Sequence, residues 1–269
     1  RDEVLASTGN RQEPTVYGSL PGEPFYLTDD ASGSSEPGVE ELAVAWQRVV
    51  AADREKKKKS AAAGDSRSLV GLALAKLDRQ STDYAPQEAQ ELLEKAVAAG
   101  DPDAKYRLAK VLEGGLGVDP DPKRALTLYE EAAEAKIPAA LNDMGYFHFT
   151  GALGLPVDRD AALALFREAA AQGHTEAMFN VASFAANGLV PDLGPKDAAD
   201  LLYRALRGGS ELALDGLLNN ADKFPKETWA GLQAILAEKG LYDGTVDGSF
   251  GPGTRRAVLA AYGIFETEN

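Results

Sequence analysis

Only two histidines, His148 and His174, offer an imidazole base in this chain. His148 sits within Tyr146-Phe147-His148-Phe149 and His174 follows a helix-ending glycine. Neither has a nucleophile in a supporting pattern, so no catalytic role is expected for them. Cysteine is absent, which removes a thiol nucleophile, thiolate metal ligands and disulfides from consideration. Gly114-Gly115-Leu116-Gly117 has the glycine density of a phosphate-cradling loop. It lacks the Lys-Ser/Thr such loops require and follows a helix, not a strand, so it reads as a turn. Asp243 and Asp247 do not have the ligand spacing of a calcium loop, and Glu130-Glu131 reads as a solvated helix face. No metal site, no cofactor and no enzymatic activity are expected of this chain.

One short stretch does offer recognition chemistry. Sugar rings are held by aromatic faces together with hydrogen-bonding side chains, and Tyr242, Asp247, Phe250, Thr254 and Arg255 bring both. The same stretch also reads as fold-forming, with Phe250 in a core and Thr254 capping a helix. Further upstream, Tyr106, Tyr129, Tyr146 and Tyr203 recur along helical segments. Tyr129 and Tyr203 fall on a packing face and read as filler, which leaves Tyr106 and Tyr146 as candidate contacts for a protein partner.

The elements that must position these residues are helical. Of 269 residues 44% are apolar but only 7% aromatic, and alanine and leucine, both strong helix formers, dominate the apolar set. Net charge is −14, which disfavours binding to nucleic acid or to anionic membrane surfaces. No apolar run reaches the roughly 20 residues of a transmembrane helix, so membrane insertion is not expected.

Internal comparison exposes a repeat. Four helical segments end alike, at Gly100, Lys136, Gly173 and Gly209, after EKAVAAG, EEAAEAK, REAAAQG and YRALRGG. The spacings are 36, 37 and 36 residues. Each unit has a first helix, a glycine-containing turn and a second helix: about Ala104–Leu112 then Pro122–Ala135, Ala140–Phe149 then a helix carrying Ala162 and Phe166, Ala177–Ala186 then one carrying Ala198 and Leu202. A less regular unit spans Ser68 to Gly100, with Leu72 and Leu77 ahead of its turn and Ala89, Leu92, Leu93 and Ala96 after it. One helical pair cannot bury its apolar face alone, so consecutive pairs must stack into an α-solenoid. The expected fold class is all-α, with repeats over 66–220.

The alanine-rich helix, the glycine turn ending near Val-Asp, and A-x-x-L-Y/F-x-x-A-A-x-x-G resemble the Sel-one-like repeat, a relative of the tetratricopeptide repeat. That resemblance implies a protein-interaction scaffold. Lys136, where glycine is usual, departs from the pattern. After Asn220 the period breaks, and LQAILAEKGLYDGTVDGSFGPGTRRAV is similar to the peptidoglycan-binding domain of bacterial cell-wall proteins. Gln233, Gly240, Tyr242, Gly244, Asp247, Gly248, Phe250, Gly251, Thr254, Ala257 and Val258 fit its motif. Ala261-Tyr262 departs from the usual Phe-Gln. This implies a small helical domain at 222–265 and, from it, a periplasmic or secreted location. Two helices are expected there, Lys226–Lys239 and one from Thr254.

Residues 1–28 carry T-G-x-R-Q-x-P…S-L-x-G-x-x-F-Y, which resembles the end of bacterial caspase-like peptidase domains. A linker and an amphipathic helix from Glu40 to Asp53, bearing Trp46 and Val49, would fill 29–65. The Lys56–Lys59 run reads as a solvated surface. The leading reading is thus a non-catalytic scaffold of the cell envelope, the C-terminal regulatory or targeting region of a caspase-like peptidase precursor. Its partners would be other proteins, the caspase-like part of the same precursor, and peptidoglycan. Two alternatives stay open: a peptidoglycan-binding module with the repeats as spacer, and a small subunit of a processed caspase-like peptidase.

Overall fold

The computed structural model describes residues 39–265; the segment resembling a caspase-like domain lies outside them. The repeats and the terminal motif lie in one compact unit that begins at Asp53. The described residues form helices and no strand. They run α1 (Val39–Ala62), α2 (Ser66–Leu77), α3 (Pro86–Ala98), α4 (Pro102–Gly114), α5 (Pro122–Glu134), α6 (Pro138–Thr150), α7 (Arg159–Ala171), α8 (Thr175–Ala186), α9 (Pro195–Arg207), α10 (Glu211–Asn219), α11 (Lys226–Glu238) and α12 (Pro252–Tyr262).

Local chemistry explains the boundaries. Asp65, Asp101, Asp121 and Asp158 each precede a helix and accept a hydrogen bond from a backbone N–H of its first turn, relieving donors that have no intrahelical partner. Pro86, Pro102, Pro122, Pro138 and Pro195 open their helices, where a missing N–H costs nothing. Gly100, Gly173 and Gly209 end theirs at φ of 83°, 91° and 80°. Lys136 holds the same left-handed position at φ 63°, so a side chain is tolerated where glycine is usual, at a cost of roughly 1–2 kcal/mol. Its ammonium meets Glu168 of the next unit at 2.7 Å.

The four units pair α2 with α3, α4 with α5, α6 with α7 and α8 with α9, and each second helix also packs on the first helix of the next unit. The recurring alanines are the reason this stacking is close. Ala89, Ala125, Ala162 and Ala198 are completely buried, as are Ala104, Ala140, Ala177 and Ala213. Leu93, Tyr129, Phe166 and Leu202 then fill the gaps at one equivalent position, each worth about 1.5–3 kcal/mol of apolar burial. Gly145 shows how tight the fit is: a Cβ there would lie 2.8 Å from the Phe166 ring.

Two expectations need correction. The helix expected over Glu40–Asp53 extends to Ala62, because Arg54 to Ala63 contains only helix-favouring lysine, glutamate, alanine, arginine and one serine. Trp46 and Val49 are exposed. In the first unit it is Leu69, Val70 and Ala73 that are buried, with Leu72 and Leu77 at the edge. Thr254 does not cap the last helix; Gly251 precedes it, and Thr254 is a buried first-turn residue. The Lys56–Lys59 run is a solvated helix surface, as expected.

The terminal motif does not stand apart from the repeats. Helix α11 packs along α9 and α12 packs on α9 and α10. Gly231 permits the first contact, since a Cβ there would reach to 2.9 Å of the Ala199 methyl. Arg207 donates from α9 to the carbonyl of Ala261 in α12 at 3.3 Å.

Candidate functional site

The first helices of the units carry a ladder that begins from the buried alanines. Two residues beyond each alanine stands Tyr106, Asn142 or Phe179; three residues beyond stands Asp143, Asn180 or Gly216. The former of one unit meets the latter of the next. Tyr106 Oη donates to Asp143 Oδ2 at 3.2 Å. Asn180 Nδ2 donates to Asn142 Oδ1 at 3.0 Å. Gly216 lies so close beneath the Phe179 ring that a Cβ would sit 2.4 Å from Cζ. Three chemically different pairs thus occupy one geometric position.

Next to the ladder the polar groups converge. Lys110 Nζ lies 3.4 Å from Asp143 and 3.8 Å from Glu113, and Tyr129 Oη donates to Glu113 Oε2 at 2.5 Å. Burial first, then the neighbouring carboxylate, pushes both tyrosine hydroxyls well above the ordinary phenol range. Both therefore remain proton donors at any ordinary pH. Of the candidate partner contacts, Tyr106 is half-buried within this network, its ring edge-on to Tyr129 at 6.0 Å. Tyr146 is different. It is 53% exposed, and Phe149, one turn on, is 40% exposed. Tyr129 is fully buried and Tyr203 half-buried, so the filler reading fits both.

The five candidate glycan contacts surround one loop, organised by a residue not among them. Gln233 of α11 is completely buried. Its Oε1 accepts from Gly248 N at 2.7 Å. Its Nε2 donates to Ser249 O at 2.9 Å and Thr254 Oγ1 at 3.0 Å, with Asp247 Oδ1 at 3.3 Å and Tyr242 Oη at 3.4 Å. Thr254 also donates to Ser249 O. Asp247 accepts from Ser249 N at 2.8 Å, and that bond chiefly holds its carboxyl below the usual carboxylate range. Tyr242 donates to Thr245 O at 2.9 Å. Gly248 has φ +72°, and a Cβ there would strike the Lys226 carbonyl at 2.3 Å. Phe250 lies tilted against Trp229, with ring centroids 4.8 Å apart. Arg255 is exposed on α12, as is its neighbour Arg256.

Trp229 was not singled out by sequence, yet it joins the loop to the repeats. Phe179, Phe224, Trp229 and Phe250 form a chain of rings at 6.1, 6.1 and 4.8 Å, and the indole N–H donates to Ala221 O at 2.9 Å. The signal available in the sequence was a lone tryptophan in the helix just past the end of the period. His174 caps α8 through Nδ1, 3.3 Å from Ala177 N. His148 is half-buried in α6. Among the described residues, no group of three or more His, Asp or Glu could hold a metal ion.

Comparison with known proteins agrees with this geometry. No curated protein matches the chain in sequence. A crystal structure of a Sel1 repeat protein from Oxalobacter formigenes is similar, with TM-score 0.51 and 21% identity over 70% of this chain and 84% of that one. The crystal structure of an immunity protein from Pseudomonas aeruginosa gives TM-score 0.51 and 19% identity, over 89% of this chain and 87% of that one. At such identities the likeness is one of fold. The Sel1 repeat model matches residues 67–101, 102–136, 138–174 and 175–210. These are the four stacked helical pairs, more than half of the chain, and the protein accordingly belongs to the Sel1 repeat family.

Proposed function

We propose that this chain is a protein-docking scaffold that takes its partner on the first-helix face of the repeats, around Tyr146. The observation that carries this is the contrast along one row. Six residues past the buried alanines lie Lys110, Tyr146, Ser183 and Asn219, three of them polar, and a tyrosine 53% exposed. Large rigid aromatics with a polar tip are favoured anchors at interfaces, whereas leaving one in water gains the fold nothing. Beside it the ladder holds Asn142, Asp143 and Asn180 in fixed positions, so side-chain ordering on binding costs little.

A photo-crosslinking residue at 146 is expected to form partner adducts in cells, and one at the exposed Glu134 of α5 to form few. Equal yields from the two positions would remove the first-helix face from the interface.

The envelope setting rests on the terminal motif, and attachment to a caspase-like peptidase on the resemblance of residues 1–28. A second reading, binding of peptidoglycan, draws support from Arg255. It is exposed on α12 and follows Thr254, whose hydroxyl belongs to the hydrogen-bond network of Gln233. Against it, Asp247, Thr254 and Tyr242 spend their polar atoms within the loop. Sedimentation with purified sacculi tests this: wild-type chain in the pellet, and its loss in Arg255→Glu, would favour the reading, and an empty pellet for the wild type would dismiss it.

A further inference from the structure

The chain carries net charge −14, yet Lys56, Lys57, Lys58 and Lys59 stand together at the end of α1. Where they end, Gly64 turns the chain at φ +85° into α2. Between the end of α1, α2 and α3 lies an open groove of about 670 Å³. Its apolar surface includes Ala61, Leu69, Leu72 and Leu92, and its only charged lining residues are Lys58 and Lys95. Leu72 and Leu92 are only half-buried there.

A second groove, between α7, α8 and α9, gives the comparison. Its lining carries Arg167 and Arg204 but also Asp197 and Asp200, with Arg167 on Asp192 at 2.5 Å and Arg204 on Asp200 at 3.7 Å. Charge there is balanced internally. In the first groove Lys58 has one exposed contact, with Glu55 three residues back at 3.2 Å. Lys95 makes no ion pair among the described residues. Apolar surface lined by two lysines and no carboxylate, on a protein otherwise acidic, defines a complement of opposite character.

We propose that this groove docks an acidic, aliphatic segment of a partner protein. Leucine or isoleucine side chains of that segment cover Leu72 and Leu92, and flanking carboxylates pair with Lys58 and Lys95. Lys57 meets Asp53 at 2.7 Å, whereas Lys56 and Lys59 add attraction at longer range, screened over roughly 8–10 Å at physiological salt. This surface is distinct from the Tyr146 face, so one protein could hold two segments at once.

Fluorescence anisotropy on the full chain tests it, with a labelled peptide that combines leucines at helical spacing with glutamates, and a counterpart in which lysine replaces glutamate. Saturable binding of the acidic peptide alone is expected. It should weaken as salt rises, and by about tenfold or more in Lys58→Glu/Lys95→Glu, equivalent to roughly 1.4 kcal/mol or more. Both lysines are solvent-facing, so circular dichroism should show an unchanged fold. Tyr146→Ser should leave this binding intact, which separates it from the scaffold proposal above. Equal binding of the basic peptide, no saturable binding, or an undiminished response in the double variant would overturn the proposal. So would two other results lost on charge reversal: self-association in sedimentation velocity, which would seat a second copy in the groove, or flotation with phosphatidylglycerol vesicles without peptide binding, which would seat a lipid surface there.

Discussion

Gln233→Ala is expected to loosen the loop between α11 and α12 while leaving the first repeats intact. The side chain is completely buried and its amide serves both sides of the loop, accepting from Gly248 N and donating to Ser249 O and Thr254 Oγ1. Truncation strands the buried Gly248 N–H and leaves Ser249 O and Thr254 Oγ1 with only each other. Each unsatisfied buried group costs about 1–3 kcal/mol, so a local loss of roughly 2–4 kcal/mol follows. The natural readout is hydrogen exchange. The Gly248 amide should lose most of its protection, while amides of α4 and α5 keep theirs, because stability in stacked repeats is largely a nearest-neighbour matter. Unchanged protection at Gly248 would mean that Gln233 does not hold the loop. Gln233→Glu sharpens the test. It keeps an acceptor for Gly248 but removes the donor and places a second carboxylate beside Asp247, so it too should open the loop.

Tyr129→Ala is expected to lower stability by about 3–5 kcal/mol, the usual cost of deleting a buried aromatic when the cavity cannot collapse. Tyr129 is fully buried, stands edge-on to Phe147 at 5.0 Å and to Tyr106 at 6.0 Å, and donates to Glu113. Urea denaturation followed by circular dichroism should show a marked fall in the midpoint. Tyr129→Phe retains the packing and loses only the hydrogen bond, so its fall should be near 1 kcal/mol. If the two variants fall equally, the hydroxyl bond and not the ring is what matters. Tyr129 also supports the first-helix face through its ring, which stands edge-on to Phe147 while Phe147 stands edge-on to Tyr146 at 6.4 Å. The alanine variant should therefore also weaken partner capture at Tyr146, whereas the phenylalanine variant keeps the aromatic support.

The repeated geometry of the ladder clarifies why the candidate sites were unevenly legible. Tyr146 could be proposed from sequence because it stands off the packing positions of its own helix, and in the structure it is exposed. Tyr106 could not be separated from it by that criterion. Its engagement with Asp143 depends on a residue 37 positions away, brought near by stacking that one helix cannot reveal. The same holds for Asn142 with Asn180. In the terminal motif, Thr254 looked like a cap because its neighbours are turn-forming. The burial of Gln233 draws it inward instead.

By itself the sequence determined the all-α class, the number and period of the repeats, the buried alanine positions and most helix ends. These follow from local chemistry repeated four times: an aspartate or proline that starts a helix, small residues at helical spacing, and a residue able to turn left-handed at the end. Only the tertiary structure decided which polar side chains face inward across units, that Trp229 and Phe250 link the terminal loop to the repeats, and that a lysine-flanked groove opens at the first unit. Those outcomes depend on distances between segments far apart in the chain, and side-chain pairs as unlike as Tyr–Asp, Asn–Asn and Phe–Gly satisfy the same spacing.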